Sequence, residues 1–363
     1  MKLLVLAQIP PPHHGQSAMV ELMLRRLPAV APDIQVHHVN LALSQSTADI
    51  GQWQWGKVLA ILKALLCVWL LTLRHGRMTL YYVPAPGKRG ALYRDLVLML
   101  GTRVFTRGLV LHWHATGLGH WLKTKGHGWE RLFAKGALGG AGRSIVLGEA
   151  LRADAAEFAP QQLVVLRNGI EDPCPERAEA PRNRNRPLRA LFLGLCSPEK
   201  GVLSAANGVI EANRRNPGSI TLTVAGEFDS EETLREFSDA QSTSAENIRH
   251  VGFVGGAAKQ KLFEDHDVLV FPTHYPHEAH PLVIVEALAY DLPIIVTRWN
   301  AVAEGLPESA EEIMVIDTRE PTVLADALET LASLPEPHGR LRQYYLQHYT
   351  ADKFAQNLAS SLR

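Results

Sequence analysis

Cysteine is scarce in this sequence. Cys67, Cys174 and Cys196 are the whole complement of 363 residues, and no pair has CxxC spacing. That pattern excludes a disulfide framework, argues against a zinc site, and fits a reducing cytoplasm. Net charge is absent as well, with 37 basic and 37 acidic residues. The longest apolar run, Val58–Leu73, is interrupted by Lys63 and falls short of the ~18–20 residues a membrane span requires. The opening run Leu3–Ala7 is too short for a signal peptide and reads as a first buried strand. No GxGxxG fingerprint marks a dinucleotide site.

What is present is a globular composition, 46% apolar and 20% charged, on a chain long enough for two ordinary domains. The balance of charge hides an asymmetry. Residues 1–175 hold 19 Lys and Arg against 10 Asp and Glu, and residues 176–363 hold 18 against 27. One lobe therefore suits an anionic neighbour such as lipid headgroups or a phosphorylated acceptor. Nothing points to nucleic acid. Val58–Leu73 is expected as a buried helix of the first domain, or else as a helix lying in the membrane interface.

Short continuous apolar runs alternate with helical patterns. Strands are predicted at Leu3–Ala7, Thr79–Val83, Leu109–His112, Ser144–Leu147 and Leu163–Leu166. After a Pro-, Arg- and Glu-rich break at Glu171–Leu188, further strands follow at Arg189–Leu193, Thr221–Ala225, Val268–Phe271, Ile294–Val296 and Ile313–Ile316. Apolar strands separated by helices imply two doubly wound α/β domains with parallel sheets, 1–172 and 173–344. The final stretch is helical in pattern.

In such sheets ligands bind beyond the carboxyl ends of strands, and four loops there carry unusual residues. The loop after the first strand holds Pro10, Pro11, Pro12 and then Gly15 and Gln16, a stiff turn that lets backbone approach a ligand. His112 and His114 end a later strand. They are read as facing opposite sides of it, one toward packing and one toward a ligand, and so unable to share a metal. Ser197–Gly201 places Lys200 at a helix start, a plausible diphosphate cradle. The most informative loop runs from Phe271 to Ala289. Glu278 precedes its helix, and Glu286 sits inside the apolar run VIVEALA, where a carboxylate is costly unless satisfied. Ribose hydroxyls would satisfy it.

With its spacing of Glu278 and Glu286 (E-x7-E) followed by Ala287, Leu288 and Leu292-Pro293, the chain resembles the glycogen-synthase-like group 1 retaining glycosyltransferases of family 4. Supporting segments fall in that family's order, among them Arg167-Asn168-Gly169, Val224–Glu227 and His250–Val254. The resemblance implies a GT-B fold, two Rossmann-like domains facing across a cleft, with a C-terminal helix at about 345–363 packing back on the first. It also implies roles: Glu286 on ribose, Glu278 and His114 by the donor sugar, and Lys200 on the diphosphate. Amides at Leu282 and Val283 would reach phosphate or sugar, the Gly15–Gln16 loop would close over the diphosphate, and backbone near Val254 would hold the base. Two departures stand out. Leu195 replaces a usual Arg, and Pro281 has no N–H to offer, a loss His280 could offset with its side chain.

The expected activity is retaining, metal-independent transfer from a UDP- or GDP-linked sugar to a glycan or lipid-linked acceptor, in surface polysaccharide or glycolipid synthesis. Neither cofactor nor metal is expected. Arg89 and Arg94 are candidates for the acceptor side, and the expected location is the cytoplasm, at the inner face of the membrane if the first domain docks there. The rival readings are a nucleotide-sugar epimerase of the same architecture and a non-catalytic nucleotide-sugar sensor. Donor incubated without acceptor would separate them by product.

Overall fold

The computed structural model describes residues 1–42, 55–175, 186–334 and 339–363. The chain divides into two compact units, Met1–Gly169 together with Ala351–Arg363, and Ile170–Thr350. The centre of the expected linker, residues 176–185, lies outside the described residues.

The first unit begins with β1 (Lys2–Ala7), α1 (Gly15–Val30), β2 (Gln35–Asn40), α2 (Trp55–His75), β3 (Thr79–Tyr82) and α3 (Arg89–Thr102). It continues with β4 (Gly108–Trp113), α4 (Leu118–Lys125), α5 (Gly128–Leu138), β5 (Arg143–Val146), α6 (Arg152–Ala156) and β6 (Gln162–Val165). All six strands are parallel, in the order β2-β1-β3-β4-β5-β6.

The second unit opens with β7 (Leu188–Leu193), α7 (Val202–Arg215), β8 (Ile220–Ala225), α8 (Glu231–Ser242), β9 (Ile248–His250) and α9 (Gly256–Asp265). Then come β10 (Val268–Phe271), α10 (Leu282–Ala289), β11 (Ile294–Thr297), β12 (Ile313–Ile316), α11 (Pro321–Ser333) and α12 (Arg340–His348). Its parallel sheet reads β12-β11-β10-β7-β8-β9. Counted within the unit, that is the 3-2-1-4-5-6 order of a Rossmann sheet, with its switch point between β7 and β10. The last helix, α13 (Ala351–Leu362), packs on α1 and belongs to the first unit. The helical C-terminal stretch is therefore two helices, broken at Tyr349-Thr350.

The strands form where the sequence is apolar without alternation, because helices cover both faces of each sheet. Every residue of β10 and β11 is buried. Helix α7 shows the matching helical logic: Val202, Ala205, Ala206, Val209 and Ala212 recur at the spacing of one face and are buried, and Arg214 and Arg215 complement the dipole in its last turn. Two strands escape the apolar criterion. β2 (QVHHVN) and β9 (IRH) are edge strands, so one side needs no apolar cover.

Helix α2 departs from the expectation of a buried helix. Ala64, Leu65 and Val68 face the domain, but Leu59, Leu62, Leu66, Leu70 and Leu73 are exposed. By length and composition alone the stretch Gly56–His75 could cross a membrane, contrary to the sequence estimate, though core helices pass the same test. Its inner face is pinned to the fold. An added Cβ at Gly101 of α3 would lie 2.6 Å from Leu65, so the two helices meet closely there.

Candidate active site

The strongest cluster lies where β7 and β10 separate, the switch point at which open α/β sheets bind ligands. The turn after β7 is held down by Gly201, whose φ of +89° suits glycine and whose Cβ, were there one, would lie 2.4 Å from the Pro272 carbonyl oxygen. Ser197 Oγ accepts from the Lys200 amide at 3.2 Å, and the Glu199 carbonyl accepts from the His274 amide at 2.7 Å. The two loops are thereby laced together. Lys200 Nζ donates to Glu278 Oε2, and it sits 4.8 Å from the centroid of the Tyr275 ring. Thr273 Oγ1 lies 3.4 Å from the same carboxylate oxygen. Asn300 Nδ2 donates to the Glu278 carbonyl at 3.0 Å, and Trp299 Nε1 donates to the Tyr275 carbonyl at 2.8 Å, which fixes the loop from the β11 side.

Helix α10 follows directly. Pro281 is its N-cap. The helix is buried except at Leu282 and Glu286, which share a face at i and i+4. Glu286 Oε1 accepts from Lys259 Nζ of α9 at 2.6 Å. Its other oxygen, Oε2, is buried and has no hydrogen-bond partner. Burial raises the Glu286 carboxyl above the usual carboxylate range, and Lys259 only partly offsets this. An orphaned carboxylate oxygen inside an otherwise apolar helix costs free energy in the ligand-free protein, and a hydroxyl donor would recover it. His280 is buried beside Tyr349, with 5.5 Å between ring centroids. Val254 lies on the loop after β9, partly buried, next to an exposed Phe253.

The second unit thus brings Lys200, Glu278, His280, Leu282, Val283 and Glu286 onto two adjoining loops and one helix. Lys259, Thr273 and Tyr275 went unnoticed in the sequence. Lys259 in particular has no local signal, because only the packing of α9 against α10 reveals its partner.

Gly15, Gln16 and His114 belong to the first unit. Gly15 opens α1, capped by His14, whose Nδ1 accepts from the Ser17 amide at 3.2 Å. His112 of β4 and His114 just beyond it do not face opposite ways. Their ring centroids are 4.2 Å apart, as residues two apart along extended chain share a face. His112 is fully buried against the Tyr81 hydroxyl. Burial, reinforced by the charge of nearby His14, lowers the His114 pKa to about 3, so its imidazole is neutral at physiological pH. Arg89 and Arg94 are both engaged in structural contacts. Arg89 pairs with Glu130 at 3.2 Å and also donates to the Lys125 carbonyl, while Arg94 pairs with buried Asp95 at 2.6 Å. Among the described residues no group of three or more His, Cys, Asp or Glu could hold a metal ion.

Residues 187–333 match the family model described as glycosyl transferases group 1. Solved structures share the fold over the whole chain. HepE from Anabaena in complex with UDP is 17% identical, covering 100% of this chain and 99% of its own, with a TM-score of 0.68. Sucrose-phosphate synthase from Thermosynechococcus elongatus is 14% identical, covering 100% and 98%, with a TM-score of 0.73. The lipopolysaccharide outer core galactosyltransferase WaaB, in its apo form, is 12% identical, covering 100% and 99%, with a TM-score of 0.70. No curated protein matches the chain. The architecture is a two-domain α/β GT-B fold, and the family match in the second unit supports glycosyltransferase activity.

Proposed function

We propose that the protein is a retaining glycosyltransferase that takes a sugar from a nucleoside diphosphate and delivers it to a glycan or lipid-linked acceptor. The observation that carries this reading is the buried, unpartnered Oε2 of Glu286 at the switch point of a Rossmann sheet, on the helix that follows the Glu278 loop to which Lys200 is bound. A ribose hydroxyl donating to that oxygen would satisfy it. Diphosphate would then lie toward Lys200 and the first amides of α10, where a helix N-terminus and a full positive charge favour an anion. The UDP-bound neighbour of the same fold agrees with a nucleotide-sugar donor.

In the transfer step, the bond between the anomeric carbon and the leaving phosphate oxygen breaks as the acceptor oxygen bonds to that carbon on the same face. The acceptor proton passes to the departing phosphate. Lys200 would stabilise the charge growing on that phosphate. Glu278, tied to Lys200 and Thr273 in the ligand-free protein, would be released toward the sugar as phosphate takes over the lysine. In this reading the transfer uses no metal, and activity should persist in chelator.

A thermal-shift screen against UDP, GDP, ADP and their sugars tests the donor, because stabilisation follows ligand affinity. Stabilisation by one nucleotide in wild type but not in Glu286→Ala is the expected result. Equal shifts in both proteins would remove Glu286 from the donor site. Conversion of donor to a new sugar nucleotide without acceptor would make the protein an epimerase instead.

A further inference from the structure

The first unit carries an exposed apolar surface assembled from three helices. On α2 the exposed leucines Leu59, Leu62, Leu66, Leu70 and Leu73 fall at spacings of three or four, one continuous stripe about 21 Å long at helical rise. On α3 and just beyond it, Val97, Leu100 and Val104 repeat that spacing. On α5, Trp129, Leu132 and Phe133 are exposed, Leu132 at 71%. Ring contacts join these pieces into one face: Trp69 lies 5.7 Å from Phe105, and Tyr93 stacks on Trp129 at 5.6 Å. Trp69 Nε1 donates to the Gly101 carbonyl at 2.7 Å, which locks α2 against α3.

The charges around this face have one sign. Residues 55–138 contain 13 Lys and Arg but only two acidic residues, Asp95 and Glu130. Both acids are fully buried and bound to protein donors, so this stretch offers no exposed carboxylate among its described residues. Lys63 and Arg74 are exposed on α2 itself, and Arg77 and Arg107 on the loops that flank it and α3.

We infer that this face is a membrane-docking surface, with α2 lying in the interface of an anionic bilayer rather than crossing it. A spanning helix would have to leave the contacts that Leu65 and Trp69 make with α3. An interfacial helix keeps them and sinks its outer stripe between the headgroups, where aromatic rings are at home. Charge selects this occupant over a second copy of the chain, because two such faces would bring cations against cations with no carboxylate to pair them. The inference deepens the lipid-linked-acceptor part of the proposed function, but its test reads lipid binding alone and would stand if no transfer were found.

The test is co-sedimentation of the full chain with phosphatidylcholine vesicles, with and without phosphatidylglycerol. Wild type should bind the anionic vesicles and be released by added salt. The combined variant Leu66→Glu, Leu70→Glu, Leu73→Glu should lose binding by on the order of tenfold or more while keeping its circular-dichroism spectrum and melting temperature, since all three side chains are already exposed. Lys63→Glu with Arg74→Glu should reduce the preference for anionic over neutral vesicles roughly fivefold or more per charge. Equal sedimentation with neutral and anionic vesicles, or unchanged binding by the leucine variant, would overturn the proposal. So would a concentration-dependent dimer that the leucine variant abolishes, with no vesicle binding, which would make the face a contact between copies.

Discussion

Both units withdraw carboxylate oxygens from water, but they treat them differently. In the first unit Asp95 accepts from the Tyr82 hydroxyl at 2.7 Å, from the Ala85 amide at 2.8 Å and from Arg94. Glu130 likewise accepts from Tyr93 at 2.7 Å and from the His127 amide at 2.7 Å, with Arg89 at 3.2 Å. Every oxygen of these two groups is used, and they hold β3, α3 and α5 in register. In the second unit Glu286 has one cation on one oxygen and nothing on the other. A saturated buried acid reads as architecture, and the unsaturated oxygen of Glu286, at the switch point of its sheet, as a place suited to a ligand.

That contrast can be broken by experiment, beginning with the largest effect. Asp95→Ala should cost about 3–5 kcal/mol of stability in urea unfolding, because it removes the buried acceptor of the Tyr82 hydroxyl, the Ala85 amide and the half-buried Arg94. An unchanged midpoint would mean the network does not support the fold. Lys200→Ala should lower turnover by ~10²–10³-fold, comparable to losing one preorganised electrostatic contact to a transition state, with the melting temperature little changed. Glu286→Ala should weaken nucleotide binding by roughly 10–100-fold, the value of a hydrogen bond to a charged group, while folding stability moves by less than about 1 kcal/mol. If it unfolds the protein as Asp95→Ala does, the two acids are of one kind and the distinction fails.

The smallest effect sharpens the same point through pH. Burial raises the Glu286 pKa above its ordinary 4.5, so between the two values the folded chain holds a proton that the unfolded chain has released. Stability contributed by this residue therefore falls as pH rises through that window. Glu286→Gln carries no such proton. Its melting temperature relative to wild type should climb by a few degrees at most between about pH 4.5 and pH 7, and a flat difference would show that Lys259 fully compensates the buried charge.

Much of the architecture was legible because buried parallel strands announce themselves, as VLVF and IIVT do here. The edge strands β2 and β9 were not, since their polar residues look like loop. The loop pair at β7 and β10 could be found from Lys200 and from the misplaced acid Glu286. Lys259 could not, because its partner lies in another helix. The leucines of α2 mark the deeper limit. Hydrophobicity states that a side chain avoids water, not whether protein or lipid replaces it. His112 and His114 needed no structure at all, since the period-two alternation of extended chain places residues two apart on one face.

Helix α13 has a consequence for how the chain is made. Phe354, Ala355, Leu358 and Leu362 are all but completely covered, and α1 is their partner, with Arg26 and Asp352 joined at 3.3 Å above them. The whole second unit, Ile170–Thr350, is translated between those two helices. At ~5–20 residues per second the first unit waits roughly 10–40 s with the greasy side of α1 uncovered. A nascent chain in that interval is a natural client for chaperones, and trimming the last dozen residues should make the uncovered state permanent.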